Sequence, residues 1–258
     1  MSKIVLFIFI LSSIIAENWG HRAGVDHYTN LPENSLYILE KSLNTIQDNE
    51  NFVYLEFDIQ ETFDGKIVVF HDKKLKRMLP NAGDNREIFS VLYQKQKFIE
   101  RMKQLYGKTP KAHDLKIADL TLSELKTLYL NGNKDNLQQR IPELSEFLAS
   151  CEKHKLIKPM VVEIKYLKTE EAREDLFNEI LVFRDRYVSQ INVIKEKDYD
   201  FPFEIGFMCF YSNWTSSYGS KENRERWCQI LKDHDFYGMF MPITHWSHCG
   251  LEKNAQKQ

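Results

Sequence analysis

Apolar and polar residues alternate with a period of two over residues 53–59, as they do in a strand. Glu56 and Asp58 therefore share one face of this strand, and apolar residues take the other. Two acids on one rigid element suit a hard divalent cation. The same pattern also fits a solvated edge strand whose polar face points outward, so this pair leaves two interpretations open.

The spacing of apolar residues elsewhere predicts helices and strands in alternation, an order typical of an α/β fold. The predicted helices cover residues 34–48, 86–104, 122–130, 144–154, 170–187 and 221–232. Besides the acidic strand, the predicted strands cover residues 67–70, 160–165, 203–210 and 237–243. The pair Asp64-Gly65 indicates a tight turn ahead of the strand at 67–70.

Residues capable of phosphate chemistry gather where the predicted strands end. They are His21-Arg22 after a first strand, Glu56 and Asp58, His71-Asp72, and the pair Glu163 and Lys165. Together they offer carboxylates for a metal, imidazoles for proton transfer near neutral pH, and fixed cations for an anion. No Cys/His cluster with zinc spacing accompanies them, and carboxylates are the usual ligands of Ca²⁺ or Mg²⁺. The combination indicates phosphate ester chemistry.

In this order the motifs resemble those of the glycerophosphodiester phosphodiesterases. The matching segments are His21-Arg22-Ala23, Pro32-Glu33-Asn34-Ser35, Glu56-Phe57-Asp58, Asp64-Gly65, His71-Asp72 and Glu163-Ile164-Lys165. Ala23 stands where the family has Gly, and Ser35 where it has Thr. The resemblance is continuous from about Trp19 to Lys165 and thin beyond.

The resemblance implies a TIM-type (β/α) barrel with its site at the C-terminal ends of the strands. It also implies a role for each site residue: metal ligands Glu56, Asp58 and Glu163; catalytic acid and base His21 and His71; phosphate-holding Arg22 and Lys165; supporting Glu33, Asn34 and Asp72. The cofactor would be Ca²⁺ or Mg²⁺. The substrate would be a small glycerophosphodiester, cleaved to glycerol 3-phosphate and an alcohol in lipid and glycerol metabolism.

The chain is long enough for one sizeable globular domain, with 258 residues of which 43% are hydrophobic and 28% charged. Its formal net charge is −2 and its basic residues are dispersed, so no nucleic-acid partner is expected. The four cysteines are too scattered to select a disulfide pairing. The oligomeric state is not predicted.

The N-terminus has the pattern of a secretory signal. Lys3 precedes a largely apolar run over residues 4–15, and Ala16 follows. This run is shorter than the roughly 20 residues that cross a bilayer. We therefore predict a signal peptide over 1–16, an exported (periplasmic or secreted) barrel domain over 17–258, and no stable transmembrane span after cleavage. The alternative is an uncleaved anchor or a buried first strand.

A charged segment at about 74–116 corresponds to an insertion that the exported, longer phosphodiesterases carry. It either caps the substrate mouth and helps to choose the alcohol, or is a surface excursion. A complete barrel has eight strands, whereas five or six can be placed here, so the barrel is expected to be shortened or altered at its C-terminal end.

Two other functions remain open from the sequence. The first is a phospholipase D-like activity on lyso- or sphingophospholipids, because the phospholipase D toxins that act on these lipids are related to the phosphodiesterases. The second is a non-catalytic exported binding protein with a degenerate barrel, because the last strands are not recognisable.

Overall fold

The computed structural model describes residues 18–132, 139–194, 205–210, 229–234, 236–241 and 247–248. The strands of its sheet are β1 (Leu55–Glu61), β2 (Ile67–Val69), β3 (Met160–Tyr166), β4 (Ile205–Phe210), β5 (Tyr237–Met241) and β6 (Ser247–His248). Its named α-helices are α1 (Leu36–Thr45), α2 (Asp84–Leu92), α3 (Gln96–Tyr106), α4 (Leu122–Leu125), α5 (Leu144–Lys153) and α6 (Glu170–Ile194).

The six-stranded sheet has the order β2-β1-β3-β4-β5-β6. Strands β1, β3, β4 and β5 are parallel neighbours, and β2 and β6 pair antiparallel to β1 and β5. Within the described residues no pairing joins β6 to β2. The parallel strands and the helices between them confirm the predicted α/β class, and their C-terminal ends meet at one edge.

Strand β1 lies inside the sheet, so the solvated edge-strand interpretation of its alternating pattern is wrong. All seven of its residues are buried, and β2 and β3 pair with it on either side. Leu55, Phe57 and Ile59 belong to the main core, where the Phe57 ring lies 4.5 Å from that of Phe147. The acids on the opposite face are therefore buried at a cost that their surroundings must offset.

Strands β1 and β2 form a hairpin at the predicted Asp-Gly turn. Gly65 takes a φ of +75°, which favours glycine, and the Thr62 amide donates to the Lys66 carbonyl at 2.8 Å. Strand β2 then leads directly to His71-Asp72.

Residues 74–116, which we call the helical lobe, carry α2 and α3 over a second apolar cluster, which they share with β2 and with residues that follow the lobe. Phe89, Phe98 and Met102 are buried there and belong to the same cluster as Val68 of β2. An antiparallel bridge pairs Lys74 with Lys116. The chain therefore leaves the sheet and returns to it at one point.

Several predicted elements have other limits in the structure. Helix α1 starts at Leu36 because Ser35 caps it: the Ile38 amide donates to Ser35 Oγ at 3.3 Å. The single helix predicted over 86–104 is two helices, broken after α2. The helix predicted over 122–130 is the short α4. The expected first strand that ends at His21-Arg22 is wrong for residues 18–23, which form a turn and a 3₁₀ helix. The Gly20 carbonyl accepts from the Glu56 amide at 2.9 Å.

Some predictions fall outside the described residues and stay predictions. They concern the leader at 1–16, most of the helix at 221–232, and two of the cysteines, Cys228 and Cys249. Among the helices of the described ranges, none has both the length and the apolarity to cross a bilayer.

Glu179 of α6 is a partly buried acid whose charge provides a stability test. Burial raises its pKa to about 7, and the charges of Glu143 and Asp175 add to this. Because the folded pKa lies above the unfolded one, ionised Glu179 destabilises the fold at high pH. We expect Glu179→Gln to raise the free energy of unfolding in urea by about 1–3 kcal/mol at pH 8, and by less at pH 5.

Glu171→Gln, at an exposed position of the same helix, is the matched control and should change stability little at either pH. An equal effect of both substitutions, or a stability gain from Glu179→Gln that does not depend on pH, would contradict this account of Glu179.

Candidate active site

Three buried carboxylates from two neighbouring strands meet at one point. Glu56 and Asp58 lie on β1 and Glu163 on β3, and each offers an oxygen within 4.8 Å of the others. They meet because the parallel register places Asp58 directly beside Glu163. Their exposed fractions are only 3%, 0% and 5%, respectively.

Like charges in this cluster disfavour full ionisation. Burial raises the pKa of Glu56 well above its usual value, and the charges of Asp58 and Glu163 raise it further. Burial also raises the pKa of Glu163, with Asp58 adding to the effect. The cluster is thus a place where added positive charge stabilises the ionised acids.

Lys165 supplies part of that charge. Its Nζ forms an ion pair with Glu163 and lies 3.2 Å from Asp58 Oδ1. Burial lowers the pKa of Lys165, but Asp58 and Glu163 outweigh burial and the net shift is upward. One ammonium cannot balance three carboxylates.

The cluster fits a hard divalent cation. Glu56 Oε1 is buried and has no hydrogen-bond partner in the described part of the chain, while Glu56 Oε2 accepts from the Arg22 amide at 2.8 Å. A buried oxygen without a partner is costly, and a bound cation would satisfy it. Ligands that are all carboxylate oxygens suit Mg²⁺ or Ca²⁺.

A tight loop brings His21 and Arg22 to the cluster. Arg22, Ala23 and Gly24 all take positive φ values, of 45°, 67° and 121°. A Cβ on Gly24 would lie 2.0 Å from Ser42 Oγ, so this position requires glycine. Ala23 also has a left-handed backbone, which is strained for alanine. Glycine, which the motif has at this position, adopts the same backbone without strain. The turn leaves His21 Nε2 4.0 Å from Glu56 Oε2, while His21 Nδ1 is 3.0 Å from Asp26 Oδ2.

Asn34 orients the central acid. Its side-chain amide donates to Asp58 Oδ2 at 2.7 Å, and its own backbone amide donates to the Arg22 carbonyl at 3.0 Å. Asn34 has a φ of 58° and lies just outside α1, which frees its side chain to point at β1. It therefore ties the His21–Arg22 loop to the acidic strand.

A closed ring of hydrogen-bonded side chains lies beside the acids. Its members are His71, Asp72, Arg77, Glu33 and Arg22. Arg77 donates to Asp72 at 2.7 Å and to Glu33 Oε2 at 3.0 Å, and Arg22 Nη1 donates to Glu33 Oε2 at 3.1 Å. The last contact joins Arg22 Nη2 to His71 Nε2 at 2.7 Å.

The ring determines the tautomer of His71. A guanidinium only donates hydrogen bonds, so His71 Nε2 must accept from Arg22. The proton of the neutral ring then sits on Nδ1, which donates to Asp72 Oδ1 at 2.8 Å. His71 therefore holds a basic lone pair on the nitrogen that faces Arg22.

Both carboxylates of the ring are held ionised. Burial raises the pKa of Glu33, but Arg77 and Arg22 outweigh it and lower the pKa overall. Burial likewise raises the pKa of Asp72, and hydrogen bonds from His71 and Arg77 bring it well below the ordinary range. Although Glu33, His71 and Asp72 also offer metal-ligating atoms within 4.8 Å of one another, two guanidinium groups already supply positive charge there. The acidic cluster is the better metal candidate.

A model of the glycerophosphoryl diester phosphodiesterase family matches residues 21–215 of the chain. The chain belongs to this family. Membership confirms the predicted TIM-type fold, of which the described parallel strands form a part. No curated protein sequence matches the chain.

Solved phosphodiesterase structures are also similar to this chain. A glycerophosphodiester phosphodiesterase from Agrobacterium tumefaciens is 16% identical with a TM-score of 0.47, and the match covers 84% of this chain and 63% of that one. A phosphodiesterase from Oleispira antarctica, in complex with the product sn-glycerol-3-phosphate, is 18% identical with a TM-score of 0.40, covering 83% and 70%. The chain thus spans less than two thirds of the Agrobacterium protein.

In this family member, every site residue predicted from the sequence belongs to one connected network. The prediction missed Arg77 and Gln60. Arg77 closes the ring from the helical lobe, and its signal was the basic run that follows His71-Asp72. Gln60 continues the period of two after Asp58, and its amide donates to the carbonyls of residues 70 and 72 at 2.8 and 2.9 Å.

From the acidic cluster we expect that substituting one of its acids affects the thermal stability of the protein differently with and without a bound cation. Glu56→Gln removes a charge from a repulsive cluster, so the metal-free variant should melt at or above the wild-type temperature. Mg²⁺ or Ca²⁺ at about 100 times its Kd should stabilise the wild type by about 2.7 kcal/mol, and the variant far less. Thermal melting in EDTA and in each cation measures both effects.

Glu87→Gln, which removes a charge from an exposed position of α2, is the control and should retain the full cation effect. A cation-induced rise in melting temperature that survives in Glu56→Gln would exclude this cluster as the metal site.

Proposed function

We propose that this protein hydrolyses glycerophosphodiesters to glycerol 3-phosphate and an alcohol in a reaction that depends on a divalent cation. The observation that carries the proposal is the convergence of Glu56, Asp58 and Glu163 beside two imidazoles and two fixed cations. Family membership supports the reaction class, which is the cleavage of glycerophosphoryl diesters.

The phosphodiester binds at Arg22 and Lys165, which each lie close to one oxygen of Asp58. Arg22 Nε lies 3.8 Å from Asp58 Oδ2, and Lys165 Nζ lies 3.2 Å from Asp58 Oδ1. When bound by Glu56, Asp58 and Glu163, the cation supplies positive charge that stabilises the charge growing on the phosphoryl oxygens.

His71 acts as the general base. Its Nε2 carries the lone pair, and Asp72 keeps the proton on Nδ1. A phosphate group that draws the Arg22 guanidinium toward itself frees Nε2 to take a proton from the attacking oxygen. That oxygen belongs to water or to a neighbouring hydroxyl of the substrate, and the same base serves both routes.

His21 acts as the general acid. As the new P–O bond forms, the bond to the alcohol breaks, and the leaving oxygen takes a proton from the His21 ring. Asp26, whose Oδ2 lies 3.0 Å from His21 Nδ1, orients this ring. The two imidazoles thus hold opposite roles in the reaction.

Turnover of defined substrates tests the proposal. Purified protein should release glycerol 3-phosphate from glycerophosphocholine or glycerophosphoinositol in Mg²⁺ or Ca²⁺, and EDTA should abolish the release reversibly. His71→Asn and His21→Asn should each lower kcat by roughly 10²–10⁴-fold. Failure to cleave either substrate in either cation contradicts the proposal, and turnover of a lysophospholipid in their place assigns the phospholipase D-like activity.

Arg77 is a positioning residue in this mechanism, because it orients Asp72 and Glu33 and through them His71 and Arg22. We expect Arg77→Met to lower kcat by roughly 10–100-fold, the range typical for residues that orient ligating groups. Added ethylguanidinium should restore part of the activity, which a merely structural defect would not show.

Arg101→Met is the matched control, because it breaks an arginine–carboxylate pair with Glu124 away from the site. An equal loss of kcat in this variant, or no rescue of Arg77→Met, would remove Arg77 from the mechanism.

A further inference from the structure

A cavity of about 730 Å³ opens directly beside His71 and Lys165. Most of its charged lining is basic and comes from one short segment, with Lys73, Lys74, Lys76 and Arg77 on its wall. Its volume lies within the roughly 300–1,000 Å³ of pockets that hold whole small molecules. The cavity therefore offers room beyond the phosphate position.

Some of these cations already have acidic partners. Arg77 bonds to Asp72 and Glu33, and Lys74 Nζ lies 2.8 Å from Asp114 Oδ1. Lys73 and Lys76 are exposed at the cavity, and neither forms an ion pair within the described residues. These two lysines give the cavity an excess of positive charge.

The two lysines are held in place by the segment that carries them. Leu75, between them, is fully buried in the apolar cluster of the helical lobe. The Leu75 amide donates to the Leu115 carbonyl at 2.9 Å, and the Leu79 amide donates to the Leu75 carbonyl at 2.7 Å. Lys73 and Lys76 thus project from an anchored backbone.

We propose that this cavity binds a second anionic group on the alcohol moiety of the substrate, a phosphate monoester in addition to the diester. The proposal rests on the proposed function, since the diester phosphate must sit beside His71 and Lys165. A positive cavity attracts an anionic alcohol and repels a cationic one such as choline. The expected order of preference is phosphorylated, then neutral, then cationic alcohols.

Binding tests the cavity without turnover. Inositol 1-phosphate and inositol 1,4-bisphosphate differ by one phosphate, and a diesterase cleaves neither. Calorimetry in Mg²⁺ should give the bisphosphate about tenfold higher affinity, equal to about 1.4 kcal/mol. The variant Lys73→Gln/Lys76→Gln should lose most of this ratio and keep its affinity for the monophosphate. High salt should also reduce the ratio.

Turnover tests the same preference in the reaction. The wild type should cleave glycerophosphoinositol 4-phosphate with a kcat/KM about tenfold above that for glycerophosphoinositol, again equal to about 1.4 kcal/mol. The double variant should lose that advantage and keep its activity on glycerophosphoinositol. Lys97→Gln/Lys103→Gln on α3 removes the same charge from exposed positions outside the cavity lining and should keep the preference.

Equal wild-type affinity for the two inositol phosphates would overturn the proposal. So would an unchanged ratio in the Lys73→Gln/Lys76→Gln variant. Loss of binding to phosphatidylserine vesicles in that variant, with the ligand ratio intact, would assign the lysines to a lipid surface instead. A preserved bisphosphate preference without any diester turnover would contradict the proposed reaction and leave the anion site standing.

Discussion

Mutual repulsion among Glu56, Asp58 and Glu163 is the constraint around which this site is arranged. Acids that are buried side by side stay ionised only if nearby positive charge offsets burial and repulsion. Lys165 offsets part of it from β3, and the Arg22 loop adds an amide and a guanidinium. The positive charge that is still lacking would come from a divalent cation. The same positive charge would also attract the phosphate of a substrate.

Hydrogen bonds from the surrounding polar groups hold these charged side chains in fixed positions. Asn34 fixes Asp58, while the ring through Arg77 fixes His71 and Arg22. The strained backbone at Ala23 is maintained because Gly24 packs against Ser42 and the Arg22 amide binds Glu56. A prearranged site of this kind avoids reorganisation when charge develops on a substrate.

Local pattern predicted some of these features and could not predict others. The period of two correctly put Glu56 and Asp58 on one face, and turn chemistry located the β1–β2 hairpin. That β1 is an interior strand, and that Glu163 lies beside Asp58, depends on a parallel pairing between strands about a hundred residues apart. The resemblance to a known family supplied that relation.

Helical spacing extended α1 back to Asn34, whereas Ser35 caps the helix and leaves Asn34 to bind Asp58. Arg77 was missed because an arginine in a charged segment looks like surface until tertiary packing brings it to its carboxylate partners.

The Lys74–Lys116 bridge brings the two ends of the helical lobe together. Because these ends are neighbours, a longer lobe would add little entropy cost of loop closure. A lobe of another length would also have to cover Val68 and Phe70, which belong to the same apolar cluster. Any replacement would nevertheless have to return a guanidinium to the position of Arg77. Variation in this lobe is therefore limited twice, by the apolar cluster under it and by the side chain that completes the active site.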